Sequence, residues 1–170
     1  MANNRLWQHL RYMLLPSPYR QHFQTHQRKT LSQEVVAAEQ GHRGEIRLVI
    51  ETQLPLSLAL KNITARQRAI HWFSELRVWD TEENSGIVLY LLLAERKIEI
   101  VADRGISRLV AQTEWNRICT QLQDRLSADQ IHDGLQHALE QLGNLLRLHY
   151  PLSEEDSNPD ELSNELIFIS

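Results

Sequence analysis

The pattern of apolar and polar residues along the chain predicts a short series of strands. Residues 87 to 93 are continuously apolar, which is typical of a strand buried on both faces. Residues 45 to 51 and 97 to 103 alternate with a period of two, which is typical of strands buried on one face. The polar residues 94 to 97 interrupt the apolar run, so the second and third strands are predicted to form a tight hairpin.

Apolar residues at helical spacing predict helices between and after these strands. One such helix, residues 64 to 77, lies between the first two strands, and a crossover of this kind places the strands parallel. Pro55 argues against an interior strand, so residues 54 to 60 are interpreted as a loop. The predicted helix caps are Thr30 or Ser32, Thr64 and Ser127. The predicted fold class is α/β: a small mixed β-sheet, made of a βαβ unit plus a hairpin, with helices on both faces.

Charge divides the chain into three predicted parts. Residues 1 to 30 contain basic but no acidic residues, whereas residues 151 to 170 contain acidic but no basic residues. We predict a basic amphipathic N-terminal arm at residues 1–29, a folded domain at residues 30–150 and an acidic C-terminal tail at residues 151–170. The apolar residues 166 to 169 are expected to pair with a sheet edge or dock in a groove, either on this chain or on a partner.

The N-terminal arm has two interpretations. Its predicted helix places Trp7 and several aliphatic residues on one face, beside Arg5 and Arg11, a pattern typical of an anchor in the membrane interface. The alternative, favoured because few arginines flank the helix, is that this face docks on the chain's own core. Peripheral membrane contact through residues 4–15 is therefore one expectation, and docking on the domain is the other.

Composition limits the functional classes. A chain of 170 residues is long enough for one domain with a sizeable core. The net charge of -4, without a basic run interleaved with aromatic residues, argues against a nucleic-acid partner. The single cysteine, Cys119, fits a reducing compartment and is expected to pack in the core. The longest apolar run is far shorter than the roughly 20 residues that span a bilayer, so we expect a cytoplasmic protein.

Candidate chemistry is concentrated in acidic residues at strand ends. An antiparallel hairpin places the start of its first strand beside the end of its second, so the loop before residue 87 should lie next to Asp103. Oxygen ligands clustered in this way suit a hard cation, calcium or magnesium. The predicted metal ligands are Asp80, Glu82, Glu83, Asn84 and Asp103.

The alternative is structural: Asp80 caps a turn, Asp103 pairs with Arg104 or Arg108, and the glutamates are solvated. Glu99 either supports the ligands or forms a cross-strand surface pair, and the surface pair is the preferred interpretation. The chain contains no Gly-rich phosphate loop, no His-Glu-x-x-His, no Cys-x-x-Cys and no Gly-x-Ser-x-Gly motif, so most enzyme classes lose support.

Several short motifs taken together resemble a known family. They are residues 42 to 46 (HRGEI), 77 to 82 (RVWDTE), 84 to 86 (NSG), 94 to 96 (AER) and 99 to 106 (EIVADRGI). Over roughly residues 30 to 150 the sequence resembles the TPM domain family, in its short, soluble bacterial form. It departs from the family's usual Asp-Arg at Glu95-Arg96 and from the frequent Asn-Asn-Gly at residues 84 to 86.

The resemblance implies acidic loops that hold divalent cations, a proposed phosphatase activity, and a LemA-like membrane-associated protein as partner. Two functions are therefore expected. The first is a divalent-cation-binding interaction module that acts near the membrane or with a membrane-associated partner. The alternative is a metal-dependent phosphatase that hydrolyses a phosphoester through the acidic site, with Asp80 and Asp103 as ligands.

Overall fold

The structure is a computed structural model that describes residues 2–14, 20–153 and 162–170. Two short 3-10 turns, Arg20–Phe23 and Leu93–Glu95, accompany its regular elements. In chain order these elements are α1 (Ala2–Leu14), α2 (Thr25–Ala38), β1 (Ile46–Glu51), α3 (Leu56–Leu60), α4 (Ala65–Glu75), β2 (Ile87–Leu92), β3 (Lys97–Ala102), α5 (Arg104–Leu109), α6 (Gln112–Ser127), α7 (Ile131–His149) and β4 (Ile167–Ile169).

The strands form one mixed sheet in the order β3-β2-β1-β4. β1 and β2 are parallel, with Ile46 opposite Ile87, and the crossover between them contains α3 and α4. β2 and β3 form the antiparallel hairpin, and Arg96 closes its turn in the left-handed region with φ 51°. The predicted βαβ unit and hairpin are confirmed. The C-terminal residues add β4, which runs parallel to β1 at the edge of the chain's own sheet.

Helices pack on both faces of the sheet, as predicted. Alternate residues of β1, such as Leu48 and Ile50, face a core that contains residues of α2, α6 and α7. The intervening Val49, together with Val88 and Tyr90 of β2, faces a second core that contains residues of α3 and α4. Every residue of β1 and β2 is buried, because the sheet is covered on both sides.

The structure corrects the predicted boundaries of two helices. α2 begins at Thr25 with Gln24 as its N-cap, not at Thr30 or Ser32. Its first turn is polar, so apolar spacing carried no information about it. α7 follows Gln130, whereas Ser127 is the last residue of α6 and donates through Oγ to the carbonyl of Gln123.

Two other predictions along the chain have different outcomes. Thr64 caps α4 as predicted, with its side chain accepting from the Gln67 amide at 3.1 Å. The predicted loop at residues 54 to 60 instead contains the short helix α3, with Pro55 as its N-cap. Proline is compatible with this helix start, because the first residues of a helix need no backbone amide donor.

The first helix docks on the domain through both apolar and polar residues, and Leu6 packs against the second core. Arg5 Nε and His9 Nε2 both lie within hydrogen-bond distance of Glu95 Oε1, at 2.7 and 2.8 Å. The Leu54 amide donates to His9 Nδ1 at 3.1 Å, so Nε2 carries the hydrogen and donates to Glu95. Burial acts to raise the pKa of Glu95, but the hydrogen bonds from His9 and Arg5 outweigh it and hold that pKa below its ordinary value. Trp7 nevertheless stays 61% exposed.

A helix that crosses a bilayer must be both long and apolar. Among residues 2–14, 20–153 and 162–170, no helix is both long and apolar enough to cross a bilayer.

His42 predicts a pH dependence of stability. It is fully buried, donates from Nε2 to the Ala38 carbonyl at 2.8 Å and accepts from the Gly44 amide at 3.1 Å. Burial, helped by the positive charge of Arg147, lowers its pKa below the ordinary value. The unfolded chain therefore binds a proton that the folded chain rejects, so stability falls as the pH drops through about 6.5.

We expect this loss in urea unfolding measured at pH 7.5 and pH 5.5. In a His42→Gln variant the difference in unfolding free energy between the two pH values should be smaller, because the variant lacks the buried imidazole. An equal pH dependence in the two proteins would show that His42 is not its source.

Candidate metal centre

The loop between α4 and β2 forms one side of the candidate site. It is folded by its own hydrogen bonds: the amides of Asn84 and Ser85 donate to the Thr81 carbonyl and Oγ1 at 3.2 and 3.1 Å. Asn84 has a φ of 53°, a left-handed conformation that asparagine tolerates better than most residues. This turn fixes the direction of the main-chain carbonyls just before β2.

The end of β3 forms the other side. Asp103 caps α5, and its Oδ1 accepts from the Arg104 amide at 2.6 Å. The Asp103 amide donates to the Gly86 carbonyl at 2.8 Å, which ties this strand end to the loop before β2. Asp103 is only 8% exposed, and its Oδ2 has no hydrogen-bond partner in the part of the chain that the structure describes.

Gly105 lies where these two segments meet. A Cβ atom at this position would lie 2.5 Å from the Asn84 carbonyl oxygen, 2.6 Å from the Glu83 carbonyl oxygen and 2.9 Å from the Tyr150 hydroxyl. Only glycine permits so close an approach of the backbone. Because Gly105 has no side chain, the start of α5 lies next to two main-chain carbonyl oxygens and a tyrosine hydroxyl.

Charged side chains surround this point. Arg43 Nη1 pairs with Glu83 Oε1 at 2.9 Å, and Arg104 Nε donates to Asn84 Oδ1 at 3.1 Å. The pKa of Tyr150 is raised above its ordinary value, first by burial and then by the negative charges of Glu83 and Asp103. We call this region the rim: Glu83, Asn84, Asp103, Gly105 and Tyr150, with Arg43 and Arg104. It carries acidic groups and the arginines that partly neutralise them.

The predicted ligands are only partly brought together. Glu83 and Asn84 lie on the same rim as Asp103, whereas Asp80 and Glu82 are exposed on the loop. Within residues 2–14, 20–153 and 162–170, no three His, Cys, Asp or Glu side chains are grouped so that they could hold a metal ion. A cation at this rim would therefore need amide and main-chain oxygens in addition to carboxylates.

Sequence reasoning named Arg104 as a possible partner of Asp103 but missed Arg43 and Tyr150 as parts of this rim. Arg43 precedes β1 and Tyr150 follows α7, so tertiary packing alone brings them to Asp103. Gly105 leaves room for the carbonyl oxygens of Glu83 and Asn84. No local spacing in the sequence indicates any of these contacts.

Two further residues have structural roles. Glu99 lies opposite Tyr90 in the hairpin and 3.8 Å from Arg66 of α4, so its ion pair is with a helix and not with the neighbouring strand as predicted. Cys119 packs against the first core, and burial, together with the nearby charge of Glu99, raises its pKa to about 11. A thiol with so high a pKa is a poor nucleophile at neutral pH.

A second polar cluster lies at the carboxyl end of β1. Arg68 donates to both carboxylate oxygens of Glu51, at 2.8 and 2.6 Å, and the Tyr90 hydroxyl donates to Glu51 Oε2 at 2.7 Å. Burial, followed by the charge of Glu51, raises the pKa of Tyr90 far above its ordinary value. Because Arg68 lies on α4 and Glu51 lies on β1, these hydrogen bonds hold α4 against the sheet.

The sheet order, the crossover and the acidic rim define an α/β domain with a mixed sheet and a candidate cation site. The model of the TPM domain matches residues 18–145, and the chain belongs to the TPM domain family. A structural relative is the BA42 protein from the psychrophilic bacterium Bizionia argentinensis sp. nov., solved by NMR, which is 23% identical. The similarity covers 86% of this chain and 94% of that chain with a TM-score of 0.74, so the two share a fold. The comparison with curated proteins gave no match.

Proposed function

We propose that this TPM domain is a divalent-cation-binding interaction module that acts near the membrane or with a membrane-associated partner. The observation that carries the cation site is the buried Asp103 Oδ2, which lacks a hydrogen bond within the described residues. A buried carboxylate oxygen without a partner costs on the order of 1–3 kcal/mol or more. A bound cation would offset that cost, because it supplies the missing positive partner.

The residues at the rim fit a hard cation. Asp103 and Glu83 offer carboxylate oxygens, and Asn84 offers its amide and main-chain oxygens. The Glu83 and Asn84 carbonyl oxygens lie beside Gly105, two residues after Asp103, although the Asn84 carbonyl also accepts from the Ile106 amide at 3.3 Å. When bound, the ion would link the loop before β2 to the end of β3.

The mixed ligand set favours calcium over magnesium. Calcium accepts six to eight oxygens in variable geometry, whereas magnesium requires a near-ideal octahedron and retains several waters. The rim offers few carboxylates, and Arg43 competes for one of them. We therefore expect weak calcium binding, with a dissociation constant of about 0.1–1 mM.

Calorimetric titration with calcium tests this site. Asp103→Asn should weaken binding at least about tenfold, because it removes the buried charge while preserving the shape of the side chain. Asp124→Asn is the matched control, since it makes the same change at an exposed position on α6 and should leave binding unchanged. If the wild type shows no binding at millimolar calcium, or if Asp103→Asn binds equally well, the cation site is wrong.

The membrane part of the proposal is supported by α1. Trp7 is 61% exposed although its neighbours Arg5 and His9 hold the helix on the domain. An exposed tryptophan on a basic helix is suited to the interfacial region of a bilayer. Co-sedimentation with anionic vesicles should decrease in Trp7→Ala; if the wild type stays in the supernatant, the peripheral contact is wrong and a protein partner such as a LemA-like protein is favoured.

One observation favours the alternative, a metal-dependent phosphatase. Arg43 and Arg104 both lie at the rim, and arginine side chains bind phosphate oxygens well. Turnover of p-nitrophenyl phosphate with calcium or magnesium should then be lost in Asp103→Asn and reduced in Arg104→Ala. Equal residual turnover in these folded variants would indicate a contaminating enzyme and remove this alternative.

A further inference from the structure

We propose that the outer edge of β1, together with α2, is a docking site for an extended peptide strand from a partner protein. We call it the edge site: residues 49 to 52 of β1 and the loop after it, with Phe23, Arg28 and Ser32 beside them. The chain's own residues 165 to 169 occupy it as an intramolecular ligand. The sequence of the partner strand contains an acidic residue followed by apolar residues, one of which is aromatic.

The backbone contacts are those of strand addition. β4 lies parallel to β1, with Ile167 opposite Val49 and Ile169 opposite Glu51, and the Thr52 amide donates to the Ile169 carbonyl at 2.8 Å. Main-chain hydrogen bonds of this kind form with any extended segment, so they supply affinity rather than selectivity. Edge strands of sheets are ready templates for such pairing.

Side-chain contacts supply the selectivity. The Phe168 ring lies 5.3 Å from the Phe23 ring, and the Arg28 guanidinium lies 3.9 Å from the Phe168 centroid. Two residues earlier, the Leu166 amide donates to Ser32 Oγ at 3.0 Å, and Leu166 is buried. The edge site therefore holds alternate residues of a strand, the pattern by which sheet edges select peptides.

The edge site extends beyond the segment that now fills it. A cavity of about 690 Å³ continues along α2, lined by Lys29, Gln33 and Val36 on the helix and by Glu165 and Phe168 on the segment. Lys29 and Arg28 make the helix side basic, and this complements the acidic residue at the start of the segment. A partner strand with an acidic residue here would make contacts along α2 that the described residues 162–170 leave unused.

Residues 165 to 169, which now fill the edge site, are held weakly enough for a partner strand to displace them. Their ladder has three residues, all only half-buried, whereas β1 and β2 pair over six fully buried residues. They also lie outside residues 18–145, the range that the TPM domain model matches. The edge site is on β1, away from β3 and the acidic rim, and the inference goes beyond cation binding.

A labelled peptide with the sequence of residues 163 to 170 tests the edge site by fluorescence anisotropy. Phe168→Ala in the full chain weakens the intramolecular occupant, so it should bind the peptide at least tenfold more tightly than the wild type. Adding Arg28→Ala to that variant should weaken binding about tenfold, as should an alanine in place of the peptide's own phenylalanine. Leu148→Ala, which removes an exposed apolar side chain on α7, is the control and should behave like the wild type.

Each other outcome overturns the inference. Circular dichroism confirms that the variants are folded, and Phe168→Leu replaces Phe168→Ala if the latter is not. Failure of the folded variant to bind the peptide, or binding unaffected by Arg28→Ala, removes the edge site. A concentration-dependent dimer in light scattering would mean that the occupant is the tail of a second copy. Binding in EDTA should equal binding in calcium; a calcium requirement would contradict the independence of the two sites.

Discussion

Arg68→Ala should lower the free energy of unfolding by about 3–5 kcal/mol. Glu51 is fully buried at the end of β1, and Arg68 is the cation that contacts both of its carboxylate oxygens. Within the described residues, removing the guanidinium leaves a buried charge with the Tyr90 hydroxyl as its remaining hydrogen-bond partner. The cost is therefore that of an uncompensated charge, not that of one lost surface pair.

Urea unfolding of the wild type and the variant measures this difference. Arg66→Ala is the matched control, because Arg66 is two residues away on the same helix and pairs with Glu99 at 3.8 Å from a position open to solvent. Its loss should cost less than about 1 kcal/mol. If the two variants are equally stable, the buried cluster does not hold α4 to the sheet.

Gly105→Ala should both destabilise the fold, by about 1–3 kcal/mol, and weaken calcium binding at least tenfold. The new methyl group would lie within 2.6 Å of the Glu83 and Asn84 carbonyl oxygens, so the loop or the start of α5 must move. Either movement separates the carbonyls from Asp103. The stability effect follows from the packing alone, and the calcium effect follows only if the cation site is real.

Two measurements separate these effects. Thermal unfolding in EDTA reports the packing cost, and calorimetry at a temperature where the variant is folded reports the affinity. Ser107→Ala, an exposed change on the same helix, should alter neither. A destabilised variant that binds calcium as well as the wild type would place the ion elsewhere.

The sheet was predictable because its signals are local. The apolar run at residues 87 to 93 and the alternation on either side of it each report burial directly, and the crossover rule then fixes the parallel pair. α3 and the start of α2 were missed for a matching reason. Short or solvent-exposed turns of helix carry little apolar periodicity, so capping chemistry determines them.

The rim was predictable only as far as the hairpin defines it. Antiparallel pairing places the loop before β2 beside Asp103, which the structure bears out for Glu83 and Asn84. Arg43 and Tyr150 come from segments whose position depends on the packing of α7 and on the start of β1. The buried pair of Glu51 and Arg68 was equally unpredictable from the sequence, because a charged residue in an alternating strand normally faces solvent.

The N-terminal helix shows how a sequence pattern can fit two structures. Its basic amphipathic character is the same whether it meets a bilayer or its own domain. Leu6 packs against the second core, and His9 and Arg5 converge on Glu95, in the turn of the hairpin. The docked arrangement therefore depends on a pairing between residues far apart in the sequence, which periodicity does not report.

Backbone amide shifts recorded during a calcium titration test the account most directly, since they locate the ion as well as detect it. We predict saturable shifts at Glu83, Asn84, Asp103 and Gly105, reversed by EDTA and absent in Asp103→Asn. Shifts confined to the acidic residues 151 to 170, or none at all at millimolar calcium, would contradict a cation site at this rim.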